Sequence, residues 1–107
     1  MTYRTLTSDE ASRHGTSLRG FLPPMPYARL IAAFGEPTFR YGDKVEAEWV
    51  IEFADGTLAT VYDYKMGPPV ETTTSWHIGG YEGTPAVERV SAALGVTPVG
   101  IARHYGG

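Results

Sequence analysis

The stretch from Val45 to Lys65, VEAEWVIEFADGTLATVYDYK, constrains the fold more than any other part of the chain. Val45, Ala47, Trp49, Ile51 and Phe53 alternate with Glu46, Glu48 and Glu52, the period-two pattern of a strand with one buried face. Asp55-Gly56 marks a tight turn, and a second run rich in β-formers follows. Read as a two-residue type I′ turn, the pair sets Ala54 opposite Thr57 and Trp49 beside Tyr62 on the buried face. The second face then pairs Glu52 with Ala59, Val50 with Val61, Glu48 with Asp63 and Glu46 with Lys65. In that register Glu46, Glu48, Glu52 and Asp63 make an acidic strip. The like charges of Glu48 and Asp63 oppose each other there, at a cost of up to about 1 kcal/mol.

Two helices flank this hairpin in sequence. Pro26 opens the first, whose Tyr27, Leu30, Ile31 and Phe34 form one apolar stripe ended by Gly35. Thr84-Pro85 opens the second, where Val87, Val90, Ser91 and Leu94 repeat the spacing before Gly95. Thr7 to Glu10 carries a capping-box pattern for a short N-terminal helix. Ser17 to Leu22 reads as a strand stopped by Pro23-Pro24, and Glu36 to Asp43 as a loop carrying Phe39, Arg40 and Tyr41. Gly67-Pro68-Pro69 makes a rigid turn, Thr72 to Ile78 a strand ended by Gly79-Gly80, and Val96 to Arg103 an edge strand that tolerates Pro98. The expected fold is α+β: a mainly antiparallel sheet of about four to five strands with the hairpin at its centre and two amphipathic helices on one face. Residues 1–107 form one domain, with 1–16 an N-terminal segment and 104–107 a loose tail.

Composition narrows the function classes. A chain of 107 residues with no cysteine builds its core without disulfides or thiolate metal sites. A formal charge of −3 with scattered basic residues argues against nucleic acid or an anionic membrane as partner. No apolar run approaches the roughly 20 residues that span a bilayer, and MTYRTLTSDE lacks a signal-peptide core, so a cytoplasmic location is expected. His14, His77 and His104 have no metal-site spacing, and no cofactor motif is present.

Three segments taken together, SLRGF with ARLIAAFGEP, EWVIEFADGTLATVYDYK and SWHIGGY, resemble a family of small bacteriophage and prophage proteins, mostly without assigned function, whose pattern runs FGEP, EWxIxFxDGTxAtxYdyK and WHIGG. The resemblance covers Ser17 to Leu94. It implies an accessory phage product acting in the bacterial cytoplasm, and it brings no characterised reaction and no catalytic residue. The segment Met66 to Val70 is shorter here than in the family pattern.

Trp76-His77-Ile78-Gly79-Gly80 is the leading candidate site. An indole and an imidazole on opposite faces of a strand, followed by two glycines with open N–H groups, can hold a planar or anionic ligand. The same residues also read as core side chains followed by a bend into the helix. Tyr62, Tyr41, Arg40 and Lys65 add aromatic surface and cations that suit a phosphate-bearing ligand, and equally suit ordinary rim positions. Ser75, His77 and Asp63 have no strained turn to expose a nucleophile, so no catalytic residue is assigned. Two readings remain: a non-enzymatic protein that binds and inhibits or redirects a host bacterial protein, or one that sequesters a small anionic ligand such as a nucleotide immune signal. An enzyme acting on a host metabolite is a third. An open sheet face or edge also suggests a homodimer.

Overall fold

The computed structural model describes residues 1–11, 16–42, 45–64 and 69–101. Its strands are β1 (Tyr3–Thr5), β2 (Ser17–Phe21), β3 (Phe39–Arg40), β4 (Ala47–Phe53), β5 (Leu58–Tyr62), β6 (His77–Gly80) and β7 (Gly100–Ile101). Helix α1 spans Tyr27–Phe34 and α2 spans Ala86–Leu94. All the pairings are antiparallel, in the order β1-β4-β5-β6-β2-β7 with β3 also on β4. The α+β class is therefore as the sequence reading expects, with β1 and β3 added. No helix among the described residues is long and apolar enough to cross a membrane.

Both helices and one sheet face enclose the main core. Leu30 and Phe34 from α1 and Val87, Val90 and Leu94 from α2 pack with Ala47, Trp49, Ile51, Phe53, Ala59, Val61 and Ile78. The α1 stripe works because its C-terminal carbonyls, which have no partner within a helix, are met by side chains from the sheet. Tyr3 Oη donates to Ala33 O at 3.1 Å, Thr5 Oγ1 to Phe34 O at 2.7 Å and Trp49 Nε1 to Gly35 O at 2.8 Å. Gly35, at φ 78°, ends the helix in a backbone region that a side chain would strain. Trp49 and Trp76 meet edge to face at 5.7 Å, and Trp76 Nε1 donates to Met25 O at 2.8 Å.

The hairpin register differs from the expected one by a residue. Phe53 N–H donates to Thr57 O and Gly56 N–H to Phe53 O, both at 2.9 Å, so the loop holds three residues, Ala54, Asp55 and Gly56. Only Gly56 has a positive φ, 89°, which fits a type I turn closed by a left-handed glycine and not the type I′ turn. Asp55 favours this form. Its Oδ1 accepts from Thr57 N–H at 3.0 Å and its Oδ2 from Arg89 Nε at 2.9 Å. Trp49 therefore opposes Val61, and Tyr62 opposes Glu48. Because strand faces alternate, the one-residue slip moves Tyr62 out of the core and takes Asp63 off the Glu48 face.

Other boundaries shift as well. Thr7 and Glu10 exchange capping-box bonds, Glu10 Oε1 accepting from Thr7 N–H at 2.9 Å, but they close a single turn. The expected strand Thr72 to Ile78 begins only at His77, after a 3-10 turn at Val70–Thr72. It includes both glycines and ends at Gly80, two residues beyond the expected Ile78. Thr84 does not cap α2; its hydroxyl donates to Tyr81 O at 2.6 Å, and the helix starts at Ala86. The edge strand is Gly100–Ile101, and the 104–107 tail and Lys65 lie outside the described residues.

Candidate functional site

The corrected register aligns one side chain per strand across the face opposite the helices. Phe39 of β3 pairs with Glu48 of β4, Glu48 with Tyr62 of β5, Tyr62 with His77 of β6 and His77 with Phe21 of β2. Cross-strand partners share a face, so these five form one transverse row. His77 is its hub: Phe21 lies edge-on at 5.1 Å, Tyr62 edge-on at 5.4 Å, and Tyr64 stacks at 6.0 Å. The N-terminal turn covers the neighbouring part of this face, where Leu6, Ala11 and Val50 form a small second core. Along the row Phe39 is exposed and Glu48, Tyr62, His77 and Phe21 are half-buried.

Beside the row a groove of about 240 Å³ is lined by Thr16, Val45, Glu48, Tyr62 and Tyr64. Burial pushes the Glu48 carboxyl above its ordinary range, and burial together with the Glu48 charge and Tyr64 does the same for the Tyr62 phenol. Burial lowers His77, with the Asp63 charge opposing, so the imidazole is held toward its neutral form. No hydrogen bond or ion pair to the Glu48 side chain occurs among the described residues.

Gly79 shapes this site from two residues along β6, on the same face as His77. A methyl there would overlap Thr60 Oγ1 and press on Tyr62 Cε1 at 3.3 Å and Thr16 Oγ1 at 3.4 Å. Gly80 serves the other face, where a Cβ would come within 2.5 Å of Ala86 Cβ in α2. The two glycines thus let side chains and a helix approach a central strand paired on both sides, and their amides belong to the ladder instead of standing open for a ligand.

The expected site residues separate into groups. Tyr62, His77 and Gly79 meet at the row, joined by Glu48 from the expected acidic strip. Trp76 is buried, 1% exposed, and serves the scaffold. Arg40 pairs with Ala47, so it falls on the helix side, its Nε donating to Glu46 O at 3.2 Å and its Nη1 3.4 Å from Tyr27 Oη. Tyr41 is 77% exposed, with the Arg40 guanidinium 4.5 Å above its ring. The expected acidic strip loses Asp63, and the charge of Glu52 is met by Arg4. Glu52 is paired with Arg4 at 3.3 Å, and Asp63 is fully buried, its Oδ1 accepting from the N–H groups of Glu46 at 3.0 Å and Ala47 at 2.9 Å.

Phe21, Phe39, Thr16 and Tyr64 are the site residues that sequence reasoning missed. A three-residue loop read into the hairpin would have set Glu48 opposite Tyr62, but Phe21 and Phe39 reach the row through the β2–β6 and β3–β4 pairings, which the turn does not fix. Comparison of the chain with protein-family models, with curated proteins and with solved structures finds no match, so the functional reading rests on the geometry of this face.

Proposed function

We propose that the chain is a non-enzymatic accessory protein of the bacteriophage type, acting in the bacterial cytoplasm by gripping a host protein through the open sheet face and so inhibiting or redirecting it. The observation that carries this reading is the row Phe39, Glu48, Tyr62, His77, Phe21. Aromatic rings with little side-chain entropy to lose, set around one charge on a rigid sheet, are the composition of an interface centre. The groove is lined by a carboxylate and by no described cation, while Arg40 lies on the helix side and Arg4 is held by Glu10 and Glu52. That distribution favours a protein partner over a phosphate-bearing ligand. For an enzyme, Asp63 is buried against backbone donors and off the face that carries His77, which leaves Ser75, His77 and Asp63 without a shared site.

A photo-crosslinking side chain placed at Phe39, on the row, and separately at exposed Glu88 on α2 tests the reading. The expected result is an adduct to one host protein from position 39, lost when Tyr62→Ala is added in a protein that still melts cooperatively. Adducts only from position 88 would contradict it. Adducts between two copies of the chain would replace the host partner with a homodimer through this face.

A further inference from the structure

We infer that the groove beside the row is an arginine subsite: the guanidinium of a partner's arginine side chain enters between Tyr62 and Tyr64 and forks onto the Glu48 carboxylate. The inference rests on the protein-binding reading and names the group that anchors it. Glu48 is half-buried, opposed by Phe39 on one side and Tyr62 on the other, and paired with no cation among the described residues. A carboxylate withdrawn from water in this way gains most from a charged partner that brings two parallel N–H donors.

Three features select guanidinium over other cations. It is planar and weakly hydrated, so it stacks on phenol rings at little desolvation cost, whereas an ammonium must shed a tightly held water shell. The groove, at about 240 Å³, is large enough for a side-chain head and too small for a folded element. Thr16 also lines the groove, and its hydroxyl, 3.5 Å from Thr60 Oγ1, is of a kind that can accept a further guanidinium N–H. Gly79 keeps that lining in place, since a methyl would displace Thr16, Thr60 and Tyr62 together.

The test is an NMR titration of the intact chain with N-acetyl-arginine amide, with the blocked lysine and citrulline analogues in parallel. Saturable shifts are expected at Glu48, Tyr62, Tyr64 and His77 with the arginine probe, weaker ones with lysine and none with citrulline, which keeps the shape and loses the charge. Glu48→Gln, checked by melting, should weaken the arginine probe by about tenfold or more. Equal shifts from arginine and citrulline, shifts mapping away from the groove, unchanged binding by Glu48→Gln, or no shift at a concentration that fills a millimolar site would each overturn the inference. If cross-links from position 39 still reach a host protein in any of those cases, the arginine subsite falls and the protein-binding reading stands. If those cross-links fail, the broader reading falls whatever the probe does.

Discussion

Gly79→Ala is the substitution whose cost follows most directly from the site's construction. The added methyl overlaps Thr60 Oγ1 and sits 3.3 Å from Tyr62 Cε1 and 3.4 Å from Thr16 Oγ1. β6 lies between β5 and β2, so the backbone cannot retreat without breaking one ladder or the other. Overpacking of this kind costs about 1–3 kcal/mol. Removing a glycine from the unfolded chain returns about 0.4–1 kcal/mol. The net is a loss of roughly 1–2 kcal/mol, which for a domain near 100 residues lowers the melting temperature by roughly 5–15 °C. Thermal unfolding followed by circular dichroism reads it. Thr60→Ala deletes the hydroxyl that the methyl strikes, so the double variant Gly79→Ala/Thr60→Ala should recover most of the loss, a coupling that independent sites would not show. A Gly79→Ala protein as stable as the parent, or a double variant whose losses simply add, would refute the reasoning.

Phe34→Ala, which empties the α1 side of the core beside Tyr3 at 5.5 Å, should cost roughly 3–5 kcal/mol in urea unfolding, and an unchanged midpoint would place that stripe outside the core. Asp63→Ala leaves the N–H groups of Glu46 and Ala47 without their acceptor and should cost about 2 kcal/mol or more, while Asp63→Asn keeps a side-chain carbonyl for them and should cost less; equal losses would contradict that role. Asp55 is held down to about 2, first by the Thr57 N–H and then by Arg89. Its folded-state value is depressed, so its stabilisation is present above the ordinary carboxylate value of 3.8 and is lost as pH falls toward 2. Asp55→Asn should flatten the stability profile across that window, and an unaltered slope would count against it.

The faces of β4 were legible because Glu48 and Glu52, with Glu46 just ahead of the strand, punctuate its apolar residues. β5 offered no such signal: Ala59, Thr60, Val61 and Tyr62 carry no charge, so its register hung wholly on the turn. There Asp55 decided the matter with its side chain, which holds Thr57 and Arg89 and suits a negative φ, and no propensity for Asp-Gly reveals those contacts. The two helices followed from their stripes and closing glycines. Gly79 and Gly80 misled for a physical reason, since a glycine that breaks a strand and a glycine that admits a close neighbour look alike until the neighbours are known. β3 was hidden by its length of two residues, and with it the place of Phe39 on the row.

The row exists only if β4 and β5 pair with Glu48 opposite Tyr62, and the most direct test of that is the pattern of contacts between backbone α-protons across the hairpin. Close α-proton contacts occur at the antiparallel pairs that do not exchange hydrogen bonds, where the α-carbons stand about 4.5 Å apart. Leu6 N–H donates to Val50 O at 2.8 Å, which turns Val50 toward β1 and makes Val50 with Thr60 such a pair. The alternation then adds Glu48 with Tyr62 and Glu52 with Leu58. A nuclear Overhauser spectrum should show strong α-proton cross-peaks for 48 with 62, 50 with 60 and 52 with 58. Cross-peaks for 49 with 62, 51 with 60 and 53 with 58 would restore the two-residue turn, return Tyr62 to the core and dissolve the site.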